Sequence, residues 1–219
     1  MAMTIEQLYQ RLMAEMGPRH WLETGVPPAE TPWEVLWGGI LVQNTNWRNV
    51  DYALANLKAA TGFEPQRLLA LTTAELTTLV RPAGFYRRKV PTLQALATWC
   101  RRYQFDLTTM RQLPAAQLRR ELLAIHGIGD ETADYFSMYV FNQPTLIVDT
   151  YLRRLLTWLG QPLPKTYLAA QRLLQANWTY DLAKAWEWHA LVVDFGKQVK
   201  TPADFDGSFL AGQQVHLIQ

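Results

Sequence analysis

Residues Leu123–Asp134, reading Leu-Ala-Ile-His-Gly-Ile-Gly-Asp-Glu-Thr-Ala-Asp, constrain the fold of this chain more than any other stretch. Leu122, Leu123 and Ile125 lead in, Ile128 sits between two glycines, and Ala133 and Phe136 follow at helical spacing. The pattern predicts two helices joined by a tight turn. Gly127 and Gly129 let the backbone reverse there and leave no side chain over the amides. Peptide N–H groups at such a turn, and at the start of the next helix, form a seat for a phosphate. Downstream, Leu146-Ile-Val-Asp-Thr150 brings a lone aspartate out of an apolar run. A carboxylate beside a phosphate seat points to chemistry on a nucleic acid backbone or its sugar.

The rest of the chain is patterned for helices. Ile5, Leu8, Leu12 and Met16 define one amphipathic face, which Gly17-Pro18 ends. Trp21 to Pro32 reads as a loop by its Gly25, Pro27 and Pro28. Thr31 is placed to cap a helix with Pro32 in its first position and Glu34 in its third. That helix runs from Trp33 to about Val42, and Gly38-Gly39 within it predicts a close helix–helix approach. The polar break Gln43-Asn-Thr-Asn-Trp47 precedes a helix from Arg48 to about Ala60. Further helices are predicted at 65–70, 73–80, 89–103 with Pro91 in its first turn, 115–125, 131–141, 150–159, 166–177 and 180–195. A polar tail with Pro202 and Gly207 closes the chain. Leu146–Val148 has the composition of a strand but no evident partner. The expected fold class is all-α, roughly ten helices joined by short loops.

Composition narrows the function. With 219 residues, 49% of them hydrophobic, the chain can build a sizeable core. A net charge of +2 permits nucleic acid binding without requiring it, so a basic surface must come from local clustering. The single cysteine, Cys100, excludes a disulfide framework, a cysteine zinc site and a four-cysteine iron–sulfur cluster. The four histidines lack metal-ligand spacing, and no metal catalysis is expected. No apolar stretch is long enough for a membrane span and no signal pattern opens the chain. Most of the nine tryptophans read as core, with one or two available to line a pocket for a flat ring.

The extended hairpin motif, together with Pro144-Thr-Leu-Ile-Val-Asp-Thr150, resembles the helix–hairpin–helix DNA glycosylases related to endonuclease III. Asp149 follows Gly127 by 22 residues, a spacing that fits the family without a gap. Gly38-Gly-Ile-Leu-Val-Gln-Asn-Thr45 and Arg81-Pro-Ala-Gly-Phe-Tyr-x-x-Lys89 are similar to two further family segments. The resemblance implies two helical lobes with an active-site cleft between them. Residues 24–142 would form a six-helix barrel domain with the helix–hairpin–helix at about 118–141. Residues 1–23 and 143–219 would form the second domain and carry Asp149 as the catalytic carboxylate.

The resemblance also implies that the amides of Ile128, Gly129 and Asp130, with Gly127 and Thr132, hold a phosphate. It places Gln43 and Asn44 in the gap left by a flipped nucleotide, and allows a sodium or potassium ion on the hairpin carbonyls. Arg87, Arg88 and Lys89 form a charge run from which Arg88 is the expected phosphate contact. His126 reads as positional rather than catalytic.

Departures from the family are equally informative. Bifunctional members carry a lysine two residues after the second glycine, where this chain has Glu131, which cannot form a Schiff base. Residues 196–219 contain no cysteine, so no 4Fe-4S cluster is expected. Adenine-removing relatives have an acidic glutamate where this chain has Gly39. Without an acid for the leaving base, an already cationic alkylated purine becomes the expected substrate. Trp47 and Trp21 are candidates to stack on it. The segments Gln43–Trp47, Arg81–Tyr86 and His189-x-x-Val-Val-Asp-Phe-Gly-Lys-Gln198 look most like the 3-methyladenine DNA glycosylase III branch, which implies Lys197 near the base pocket.

The expectation is a monofunctional DNA N-glycosylase of base excision repair without cofactor. It would act as a monomer on double-stranded DNA, in a bacterial cytoplasm at the nucleoid. The alternatives are a non-catalytic helix–hairpin–helix module and a mismatch uracil or thymine glycosylase.

Overall fold

The structure is a computed structural model that describes residues 2–19, 21 and 29–218. The predicted loop Trp21–Pro32 therefore lies mostly outside the described residues, as does the expected domain boundary at 23/24. The helices are α1 (Ile5–Met16), α2 (Pro32–Leu41), α3 (Trp47–Thr61), α4 (Pro65–Ala70), α5 (Thr73–Val80), α6 (Tyr86–Arg102), α7 (Leu107–Arg111), α8 (Ala115–Leu123), α9 (Asp130–Tyr139), α10 (Thr150–Trp158), α11 (Tyr167–Ala176), α12 (Leu182–Gln198) and α13 (Pro202–Asp206). A 3-10 turn, Arg81–Ala83, joins α5 to α6. The fold is all-α. Among the described residues the β-pairing is a single bridge between Met3 and Val215.

The chain divides into two compact units, Met1–Val26 with Pro144–Gln219, and Pro27–Gln143. The central unit, Pro27–Gln143, holds α2–α9 around a core that includes Leu36, Trp37, Ile40, Leu93, Leu122 and Phe136. Cys100 is buried in that core. The terminal unit packs α1 and α10–α13 around Leu8, Leu12, Leu152, Leu156, Trp188 and Leu191.

Local signals explain most helix starts. Thr31 accepts the Glu34 N–H at 3.2 Å and Pro32 opens α2. Glu34 does not close a capping box; its carboxylate takes the Glu30 N–H at 2.7 Å. Thr4 and Thr72 build complete capping boxes with Gln7 and Glu75. Each such cap contributes about 1 kcal/mol.

Four expectations change. Helix α6 begins at Tyr86 rather than Lys89, because Phe85 turns the chain into it from the left-handed region at φ +48°. Pro91 is therefore interior to α6 and not in its first turn. A short helix, α7, appears at Leu107–Arg111, capped by Asp106, where the apolar periodicity is too short to read. The tail is not merely polar: Phe205, Leu210, Val215 and Leu217 are buried, and Thr201 with Asp204 caps α13. Leu146–Val148, for which no partner strand was evident, is buried as extended chain leading into α10, in keeping with the all-α reading.

Candidate active site and nucleic-acid interface

In the central unit the hairpin between α8 and α9 is set by packing. Gly127 has φ +94°, and a Cβ on it would overlap Thr92 Oγ1 on α6. Thr92 Oγ1 lies 2.9 Å from the His126 carbonyl and 3.0 Å from that of Arg88, so one hydroxyl ties the hairpin to the turn carrying Arg88. Gly129 is different. Its φ is −96°, and a Cβ there would meet nothing within 4 Å. The fold requires glycine at 127 and tolerates a side chain at 129, so the expectation that both glycines serve the turn is corrected. Ile128 is corrected too: its amide donates to Ile125 O at 3.0 Å within the hairpin. Gly129 is the N-cap of α9 and Asp130 its first residue, so their amides stand at the positive end of that helix. Arg119 braces the same end, donating to Asp130 at 2.6 Å and to buried Asp134 at 2.9 Å.

The other expected DNA-facing residues of this unit fall on or beside that hairpin. The Gln43 side-chain amide donates to Gly127 O at 3.1 Å and to Thr132 Oγ1 at 3.2 Å. Asn44 follows it, exposed, at φ +55°. Arg87 and Arg88 are exposed, but Lys89 is 3% exposed. The Lys89 Nζ donates to Leu41 O at 2.7 Å and Ala83 O at 2.9 Å, closing the end of α2 onto the 3-10 turn. Burial lowers its pKa to about 8. Lys89 is thus a structural pin rather than part of a phosphate-facing run. Trp47 is half-buried against the unit's core, with the α2 backbone at Gly38 close to its ring. Gly39 is where α2 crosses α9: a Cβ there would overlap the Phe136 ring, so a side chain at this position would have to displace that buried ring. Phe85, which the sequence reading passed over, is 60% exposed on the strained turn beside Arg87 and Arg88.

In the terminal unit Asp149 is the N-cap of α10. Its Oδ1 accepts the Leu152 N–H at 2.8 Å. Its Oδ2 lies 3.8 Å from His189 Nε2 on α12, and a tenth of the Asp149 side chain stays exposed. The capped amide and the positive end of α10 both point at this carboxyl group. His189 is held neutral: burial, aided by the charge on Lys197, lowers its pKa to about 3. His189 therefore faces Asp149 as a neutral imidazole.

Trp21 meets the His189 ring edge-on, with centroids 5.9 Å apart. Its Nε1 donates to Asp194 at 3.3 Å, and Lys197 Nζ stands 5.3 Å over its ring and 3.7 Å from Asp194. Arg19 donates to Asp194 at 2.8 Å, and its backbone N–H donates to Glu187. Lys197 lies in the last turn of α12, which extends to Gln198 rather than ending near Phe195. The fold thus gathers Asp149, Trp21 and Lys197 around His189 and Asp194. Both of those residues stood in the segment singled out from the sequence, yet neither drew a role. The available signal was the spacing of three between Asp194 and Lys197 on one helix; nothing along the chain marks His189. Among the described residues no group of three or more His, Cys, Asp or Glu could hold a metal ion.

Residues 38–179 match the model of the HhH-GPD superfamily of base excision DNA repair proteins, and the chain belongs to that superfamily. It is 34% identical over 197 residues to the "Putative DNA repair glycosylase" of Methanocaldococcus jannaschii, covering 89% of this chain and 87% of the relative. It is 26% identical over 205 residues to endonuclease III of Thermotoga maritima, covering 90% and 85%. In fold it is similar to the H. pylori 3-methyladenine DNA glycosylase solved with 1,N6-ethenoadenine. The TM-score is 0.71 at 24% identity, over 90% of this chain and 98% of that one.

Proposed function

We propose that this base excision DNA repair glycosylase is monofunctional and hydrolyses the N-glycosidic bond of a flipped, alkylated purine such as 3-methyladenine. The observation that carries the reading is Asp149, with one oxygen fixed by an α10 amide and the other beside a neutral imidazole. Breaking a base–sugar bond develops positive charge on the sugar, and an ionised carboxylate stabilises that state. The same carboxylate orients the attacking water. Glu131, near the start of α9, offers no amine to attack the sugar, which supports hydrolysis without strand cleavage. The crowding at Gly39 leaves no room for an acid at that position of α2, which suits a leaving base that carries its own positive charge. Alkylation at N3 or N7 supplies it.

On this reading the Gly129 and Asp130 amides and Arg88 hold phosphates of double-stranded DNA, while exposed Phe85 meets the duplex beside them. The cost of unstacking the base, a few kcal/mol, is offset in part by these contacts. Trp21 and Lys197 line the base pocket, and Trp47 is a further candidate to stack on the base. A sodium or potassium ion would use the hairpin carbonyls. The protein needs no other cofactor and acts as a monomer.

A second reading has its own support. The Lys197 ammonium over the Trp21 ring repels a cationic base on that face and suits a neutral one, such as uracil or thymine in a mismatch. A panel of duplexes carrying alkylated purines, uracil or thymine opposite guanine, and 8-oxoguanine decides between them. Hot-alkali cleavage after incubation reveals abasic sites. Cleavage at alkylated purines is expected, and cleavage only at mismatched pyrimidines replaces the first reading with the second. Borohydride should trap no covalent complex; a trapped complex would show a lyase.

A further inference from the structure

In the terminal unit the two carboxylate oxygens of Asp194 face different groups. Oδ2 accepts the Arg19 Nε–H at 2.8 Å and the Trp21 Nε1–H at 3.3 Å. Oδ1 lies 3.7 Å from Lys197 Nζ, the ammonium that stands 5.3 Å over the Trp21 ring. One side chain therefore sets both the orientation of the indole and the position of the cation on its face. His189, edge-on to the same ring, is neutral and supplies no countercharge. Glu187 accepts the Arg19 backbone N–H and so holds the segment that carries Trp21. Only 14% of the Asp194 side chain is exposed, so its charge acts on its neighbours more strongly than it would in bulk water.

Bases differ in the net charge they bring to such a ring. A purine alkylated at N3 or N7 brings one positive charge and departs neutral. Uracil or thymine brings none, and as its bond breaks the positive charge on the sugar is matched by negative charge on the base. The Lys197 ammonium alone repels the first and not the second, and a carboxylate 3.7 Å from it offsets that repulsion. We propose that Asp194 is a specificity-determining residue of the base pocket: it orients Trp21 through Oδ2 and, by countering Lys197, admits a cationic base against the indole. The proposal rests on Trp21 and Lys197 as walls of the pocket and on an alkylated purine as the substrate.

The test uses the full chain and two readouts. One is kcat/KM for release of an alkylated purine from duplex DNA, with the base counted by chromatography. The other is affinity for a duplex with an uncharged tetrahydrofuran abasic analogue, and the ratio of the two reports the response to a charged base. Asp194→Asn keeps an oxygen for Arg19 and Trp21 and removes only the charge. It should lower the ratio about tenfold, with affinity for the abasic analogue unchanged. Lys197→Met removes the opposing charge from a side chain that is 41% exposed, where loss of fold is not at issue, and should raise the ratio. The double variant should recover most of what Asp194→Asn loses, because the two charges act on each other. Thermal melts of each variant accompany the assays. An unchanged ratio in Asp194→Asn, or a fall in Lys197→Met, overturns the proposal and leaves the alkylated-purine reading standing. Wild-type protein that releases mismatched uracil and no alkylated purine removes that reading, and the proposal with it.

Discussion

The hairpin of the central unit and the Asp149 cluster of the terminal unit solve different problems with different materials. The hairpin offers main-chain N–H groups, and its side chains serve to hold the backbone still: Thr92 under Gly127, Arg119 on Asp130 and Asp134, Gln43 across the turn. The Asp149 cluster offers side chains, brought from α10, from α12 and from the segment after α1. A phosphate is the same along any duplex, and a backbone seat suffices for it. A sugar cation and a damaged base need charge and shape, which only side chains supply.

The largest expected effect tests the chemical half. Asp149→Asn should lower excision at least about a hundredfold while DNA affinity and melting temperature stay near wild type, because asparagine caps a helix as well as aspartate does. A variant that still excises would show that the carboxylate only caps α10.

The two glycines sharpen the backbone half. Gly127→Ala forces a Cβ into Thr92 at a positive φ, and should cost about 1–3 kcal/mol of stability or more through the overlap. Gly129→Ala should leave the denaturation midpoint unchanged and weaken binding to damaged and undamaged duplexes alike. Equal stability losses in the two variants would mean that the hairpin owes both glycines to folding.

The pH response tests the burial of His189. Its imidazole titrates near 6.5 when unfolded and near 3 when folded. The unfolded chain therefore binds the extra proton first, and stability present above pH 6.5 is lost as pH falls. The wild type should lose about 2 kcal/mol more than His189→Gln between pH 6.5 and 5. Parallel melting curves for the two proteins would place the histidine in water. The smallest effect belongs to Arg88→Ala, which should reduce the slope of log affinity against log salt by about one. An unchanged slope would remove Arg88 from the phosphate contacts.

Much of this was legible residue by residue. The Thr31-Pro32 start of α2, the glycine turn, and Asp149 at the head of α10 are local signals, each set within a few residues by capping or by backbone stereochemistry. Gly39 was legible as a close approach, though not Phe136 as the ring that fills it. Lys89 was misread because sequence adjacency to Arg87 and Arg88 says nothing about which side of a helix faces the core. The role of Ile128 was misread because a motif does not say which amide an internal hydrogen bond has already taken, and that of Gly129 because a motif does not show that its backbone suits any residue.

The sequence by itself determined an all-helical chain, a turn that presents peptide N–H groups, and an acid at the start of a helix, since these depend on neighbours along the chain. Only the tertiary structure decided that His189 is neutral beside Asp149, that Trp21 is held by Asp194 under Lys197, and that Gln43 is turned onto the hairpin. Those outcomes depend on burial and on partners up to 176 positions away (Trp21 and Lys197). Desolvation and through-space contact leave no periodic trace in the order of residues.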